Sequence, residues 1–563
     1  MAGGSVRKIR TLRAATPLRI VFAGLAALAL ASCGADEPKI AGAAPTMRRL
    51  TEEQFRNSIA DAFGADIKLG VKLEPLLRTG GLVALGAQHA SVTPFGVEKL
   101  HQLAKSVASQ VVDPQHRRTL VACGPTDPSA FDEACASQFF VRVGRSLYRR
   151  PLTEAELKAR IESAAAATAT LGDFYRGLGS SLTAMLMGPK FLYLIETTEP
   201  DPERPGSVRL DAYAKASRLS FFMWNAAPDN ALLDAAARGD LDASSGLARQ
   251  VDRMLASVRL EDGLRGFFAD AFGFDQFETL EKDAIIYPVF NLQVAEDAAE
   301  QLLLTLNDVL IVRGEDYRNI FTTRHSFISA ALARVYRVEA PNPTGWAPYE
   351  FPAGDPRVGI QSQVAFTALH SHPGKSSPTL RGKAVRELLL CQKIPEPPAD
   401  VDFSKFNDPQ SPLKTARLRL AMHTEQAACA GCHKLTDPIG LGLEKFDGVG
   451  QLRITEQGEP IDPSGDLDGA KFADAADFAK ALSTNPASTS CVVNRLFGYG
   501  VGRVPSRQDQ PVLDYLQQVF ASDGYRYRAL LQRVATSKAF FAVTSEAAGV
   551  AAQLAPSEAK GAP

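Results

Sequence analysis

Apolar residues recur at helical spacing along most of the chain, and strand-like alternation is scarce. In "LDAYAKASRLSFFMW" (210–224), Leu210, Tyr213, Ser217 and Phe221 fall on one helical face. "PDNALLDAAARGDL" opens on Pro228-Asp229 and stops at Gly239, a start and a stop that suit a helix. "GLRGFFADAFGF" and "VAEDAAEQLLLTLNDVLI" repeat the period. "PVLDYLQQVFASDGYRYRALLQRVATSKAFF" predicts two helices joined at Asp523-Gly524. The pattern predicts a mainly α chain with irregular Pro/Gly loops. Proline-rich linkers interrupt it at 197–208, 340–357 and 394–412.

The first 32 residues break this pattern. Arg7, Lys8, Arg10, Arg13 and Arg19 precede the short apolar run "IVFAGLAALALAS". That is the layout of a secretory signal peptide, since a bilayer span needs about 20 apolar residues. The run ends in "LASC", Leu30 to Cys33, which is similar to the lipobox of bacterial lipoproteins. Acylation of Cys33 and an anchor in the outer membrane are therefore expected, with ordinary cleavage near small residues as the alternative. The following "GADEPKIAGAAPT" reads as a flexible tether.

Charge adds an exclusion. With 62 Lys and Arg against 63 Asp and Glu, nothing in the 563 residues favours nucleic acid.

Export makes the seven cysteines informative, because disulfides persist outside the cytoplasm. Cys123 and Cys135 flank a short polar loop and are expected to pair. Cys391 and Cys491 are then left for each other, the alternative being buried thiols. The remaining pair lies in "ACAGCHKLTDPIGLGLEKFDG", which holds one C-x-x-C-H: Cys429, Cys432 and His433. Two thiols at this spacing add to the two vinyl groups of one haem, and the adjacent imidazole meets the iron. A zinc site needs two more ligands at matched spacing, and no second C-x-x-C exists. A thioredoxin-like dithiol needs βαβ surroundings. One covalent haem c is the expectation.

No Met and no further His follows His433. A distal ligand must come from upstream, be unusual, or be missing. Met422 and His423 sit on the segment entering the motif, poorly placed to cross the ring. "TALHSHPGKSSPTLRGK" offers His370 or His372 from a polar loop. Arg381 in the same stretch is a candidate contact for haem propionates. The acidic "DPSGDLDG" (462–469) fails calcium register, with Leu467 at the glycine position, and is read as a turn.

The order of motifs resembles a large exported bacterial family: domains of unknown function fifteen-ninety-two, fifteen-eighty-eight and fifteen-eighty-five, with fifteen-eighty-seven and fifteen-ninety-five modules ahead of them. The resemblance is carried by "RRLTEEQFRNSIADAFG" (48–64), "SLYRRPLTEAEL" (146–157) and "LTAMLMGPKFLYLIE" (182–196). It continues in "RLSFFMWNAAPDNALLDAAARGDL" (218–241), "SSPTLRGKAVRELLLCQKIPEPPADV" (376–401), "CAGCHKLTDPIGLGLEKFDGVGQLR" (429–453) and "CVVNRLFGYGVGR" (491–503). It implies a cytochrome c-like protein in which 429–453 is one unit containing Asp437, Pro438, Glu444, Phe446, Asp447 and Arg453.

The expected organisation is a multi-module helical protein with a C-terminal cytochrome c-like haem module. Residues 1–32 form a lipoprotein signal peptide and 33–45 a tether. Helical modules follow at 46–120 and at 121–197, the second with a local disulfide. A central helical domain spans 208–338, the haem module 357–455 and a C-terminal helical module 460–541, before a disordered tail at 542–563. Electron transfer with an unidentified redox partner protein is the first expectation for function. A haem enzyme using residues 208–335 to bind substrate, and a scaffolding lipoprotein with a C-x-x-C disulfide, are the alternatives.

Overall fold

Short side chains at loop ends decide where the helices begin. The Thr51 hydroxyl accepts from the Gln54 N–H, and the Gln54 side chain accepts from Thr51 N–H, a capping box that opens Glu52–Phe63. Thr153 and Glu156 do the same for Glu154–Leu171. Asp173, Asp211, Asp229 and Asn291 cap the helices that follow them. The computed structural model describes residues 36–89, 92–395, 412–425 and 427–545. The segment read as a signal peptide, Cys33, most of the 394–412 linker and the chain beyond 545 lie outside the described residues.

Helices Glu52–Phe63, Pro94–Val111, Glu133–Leu147, Glu154–Leu171 and Phe174–Leu186 close around Phe55, Phe139, Phe140, Phe174 and Leu178, all buried. A disulfide joins Cys123 to Cys135 at the edge of this core. The strand Met47–Arg49 pairs antiparallel with Tyr193–Ile195. The stretches 46–120 and 121–197 therefore bury their apolar faces in one core, not two.

A second, larger core runs from Leu82 to Phe540. It draws on helices Ala212–Trp224, Leu260–Ala271, Leu292–Asn307, Pro486–Val501, Gln510–Ser522 and Tyr527–Thr536. Aromatic pairs cross between sequence-distant segments: Phe267 with Tyr499 at 5.5 Å, Phe268 with Tyr527 at 5.6 Å, and Phe222 with Phe540 at 5.1 Å. Each such pair adds about 0.5–1.5 kcal/mol to its area burial. A second disulfide joins Cys391 to Cys491. The segments at 208–338, 357–455 and 460–541 thus share a core, because each carries more apolar face than it covers alone.

The tether needs correction. Glu37 accepts from the backbone N–H groups of Lys538 and Ala539, at 3.1 and 2.9 Å. Ala43 bridges Val543, and Ile40 packs on the large core. The polar, small-residue composition of 37–45 suggested a free chain, but its backbone groups and one isoleucine find partners on the C-terminal segment. Residues 543 and 544 are held by the same contacts, so the stretch expected as a disordered tail from 542 is ordered at its start.

Helices dominate, and the strands form five two-stranded antiparallel pairs among the described residues. One covers the acidic stretch: Gly465–Leu467 pairs with Ala470–Phe472. Asp468 and Gly469 turn it with φ of +53° and +91°, the left-handed region that a tight two-residue turn requires. No helix among the described residues is long and apolar enough to cross a membrane.

Candidate haem site

The C-x-x-C-H lies on the helix Ala427–Leu441, with Pro438 inside it. Cys429 and Cys432 are thiols, both half-buried and one helical turn apart on the same side. Among the described residues, a side chain added at Gly431 would meet nothing within 4 Å. His433 follows directly, and its Nδ1 lies 2.8 Å from Asp437 Oδ2. The four-residue spacing puts both on one helical face. Asp437 is 3% exposed. Its other oxygen accepts from the hydroxyls of Thr379, at 2.8 Å, and Thr436, at 3.3 Å. Nδ1 engaged by a carboxylate fixes the ring and makes Nε2 the nitrogen that faces a metal.

The helix Pro378–Ala384 holds the motif helix from behind. A Cβ on Gly382 would lie 1.9 Å from the Thr436 carbonyl oxygen, and one on Gly440 would lie 1.7 Å from that of Pro378. Only hydrogen fits at either position, so the two backbones touch. This contact brings Thr379 to Asp437.

Arg381 is where the structure departs most from the sequence reading. Its guanidinium is fully buried. It donates to the carbonyls of Leu443 (2.9 Å), Phe446 (2.6 Å), Thr367 (3.1 Å) and Asp447, and to Ser371 Oγ (3.0 Å). Burial pushes its pKa down to about 10, opposed by Glu444, so it stays a cation at neutral pH. Fixed on the 443–447 loop, it has no surface on which to meet propionates; the sequence registered a cation beside the motif but not its burial.

Two further clasps order the same region. Glu444, 2% exposed, accepts from Ser376 Oγ at 2.7 Å and pairs with Arg453. Burial raises its pKa, and Arg453 opposes the rise. Lys282 Nζ donates to the carbonyls of Ser371 (3.1 Å) and His372 (3.3 Å), and Gly448 N–H donates to the Tyr287 hydroxyl at 3.1 Å. The 370–376 loop is therefore pinned between the 282–287 segment and the 444–453 loop.

The two candidate distal histidines differ. His370 packs edge-on to Phe366, with ring centroids 4.8 Å apart, and faces a small apolar cavity lined by Phe272, Phe274, Leu302 and Leu389. Burial first, then Arg381 and Lys282, pushes its pKa down to about 3, so the ring is neutral. His372 is exposed on the loop. The Thr379 hydroxyl and the paired glycines were missed from sequence; the His433 to Asp437 spacing was the available signal for the carboxylate.

A separate cleft of about 510 Å³ opens elsewhere, among Asp61, Arg142, Arg145, Ser146, Asp229 and Arg259.

Five family models match the chain, each described as a protein of unknown function: DUF1587 at 48–113, DUF1595 at 135–196, DUF1592 at 210–338, DUF1588 at 357–456 and DUF1585 at 468–540. The DUF1588 model, which contains the motif, carries the cytochrome-like name PSCyt3. No curated protein and no solved structure matches the chain.

Proposed function

From the chain's membership of the family that combines DUF1587, DUF1595, DUF1592, DUF1588 and DUF1585, we propose an exported, lipid-anchored electron-transfer protein carrying one covalent haem c. The observation that carries this reading is the motif helix itself. It presents two thiols one turn apart and an imidazole whose Nδ1 is engaged by a buried carboxylate. That donor set fits haem c: Cys429 and Cys432 would form the thioethers, and His433 would be the proximal ligand. When bound, the haem supplies a one-electron couple. The chain's own residues orient the ligand. Asp437 sets the His433 ring, and the Gly382–Thr436 and Gly440–Pro378 contacts hold the helix. Arg381 and Glu444 lock the loop behind it. His370 or His372 is the candidate second ligand, and a neutral His370 imidazole suits that role.

Cys33 would carry the lipid and place the protein at the outer membrane, on its periplasmic face or at the cell surface, with a redox partner protein yet to be identified.

A second reading is a haem enzyme, motivated by the long helical part of the chain that precedes the motif, more than an electron carrier needs. One experiment separates the readings. The mature chain is produced in a host with cytochrome c maturation, and spectra are recorded oxidised, reduced and with carbon monoxide. Electron transfer predicts a low-spin spectrum that carbon monoxide changes little. Rapid carbon monoxide binding supports the enzyme. No haem at all leaves the C-x-x-C scaffold.

A further inference from the structure

We propose that Asp437 is a positioning residue that sets the reduction potential of the haem held by His433, keeping the iron couple towards its oxidised form. This rests on the covalent-haem reading above.

Asp437 is 3% exposed, and among the described residues it pairs with no Lys or Arg; its ion-pair partner is His433. A carboxylate taken out of solvent needs compensation close by. Two hydroxyls supply part of it at Oδ1, from Thr379 and Thr436. The other oxygen, Oδ2, is directed at His433 Nδ1 at 2.8 Å.

A ligating imidazole whose second nitrogen donates to a carboxylate is more basic at the metal-binding nitrogen than one that donates to a neutral carbonyl. Greater donation and a nearby fixed negative charge both favour Fe(III) over Fe(II), and burial leaves the charge little screened. From the neighbouring helix Asp437 meets the Thr379 hydroxyl, and Gly382 lies beside Thr436; Lys383, one turn on from Thr379, pairs with Glu387 at 4.0 Å. Thr379 acts as a modulator: its hydrogen bond to Oδ1 draws density away from the oxygen that faces the imidazole.

The test uses the mature holoprotein made with a cytochrome c maturation system, its covalent haem counted after denaturation, and a spectroscopic redox titration. Asp437→Asn keeps an acceptor for Nδ1–H but removes the charge. At fixed applied potential its Fe(II)/Fe(III) ratio is expected to rise at least tenfold, a shift of about 59 mV for a one-electron couple. Thr379→Val is expected to move the ratio the other way by a smaller factor, and it decides the matter if Asp437→Asn fails to accumulate. Full haem loading with an unchanged ratio in the variants overturns the proposal and leaves the function standing. A wild-type protein without covalent haem overturns the function, and the proposal with it.

Discussion

Replacing Arg381 by methionine removes a cation and keeps most of the stem's volume. Four backbone carbonyls and one hydroxyl each lose one donor: Leu443, Phe446, Thr367, Asp447 and Ser371. Leu443, Asp447 and Thr367 keep a second, from Phe446 N–H, Gly450 N–H and the Ser371 hydroxyl. A lost hydrogen bond contributes about 0.5–1.5 kcal/mol net. At about 1 kcal/mol for each of the four carbonyls, the loss is roughly 4 kcal/mol. Part returns, because a buried guanidinium carries a desolvation penalty that methionine does not. The net expectation is a destabilisation of about 3 kcal/mol. Urea unfolding reads it through the intrinsic fluorescence of the two tryptophans, of which Trp224 is buried in the large core. The midpoint is expected to fall with little change in slope. Hydrogen exchange should quicken at the Gly448, Val449 and Gln451 amides, whose acceptors lie on Tyr287 and Asp447. Arg381→Lys is expected to recover part of the loss, with three donors in place of five. A methionine variant within about 1 kcal/mol of wild type, with unchanged exchange in the 447–451 loop, would show that Arg381 does not hold the loop.

Gly382→Ala puts a Cβ 1.9 Å from the Thr436 carbonyl oxygen, and overpacking should cost about 1–3 kcal/mol; a wild-type melting temperature would refute the backbone contact. Removing Cys391–Cys491, with a separation of 100 residues, should cost more than removing Cys123–Cys135, with a separation of 12, at about 4.7 against about 3 kcal/mol in the chain-entropy model. Paired serine variants unfolded in urea give the order, and the reverse order would contradict it. Glu156 is held well below the usual carboxylate range, chiefly by the Arg150 guanidinium, then by Lys190 and the Thr153 amide. Its folded pKa lies below its unfolded one, so its stabilisation is present above pH about 4.5 and fades as the pH falls. Glu156→Gln should flatten that acid limb, and an unaltered profile would show that the pair contributes nothing.

What could be read from the chain was what is written locally. Helical periods and the turn in the acidic stretch 462–469 lie within a few residues of their effects. Both disulfides follow from accounting for the cysteines in a chain expected to be exported. The C-x-x-C-H spacing gives the expectation of haem by the same local logic. Long-range packing left no such mark. Gly382 and Gly440 look like ordinary helix glycines until their carbonyl neighbours are placed. Arg381 looks like an exposed helix-start cation, and only the fold brings five acceptors to it. The 37–45 segment is polar and small, and its partners lie some 500 residues away. The shared core has the same origin: the proline-rich linkers mark where the chain turns, not where the apolar faces end.

The most direct test of the haem assignment is the intact mass of the mature protein, made with cytochrome c maturation and measured after denaturation. The mass is expected to exceed that of the polypeptide and any lipid by one haem, and Cys429→Ala with Cys432→Ala should remove the increment. A denatured wild-type chain with no added haem mass would contradict the account.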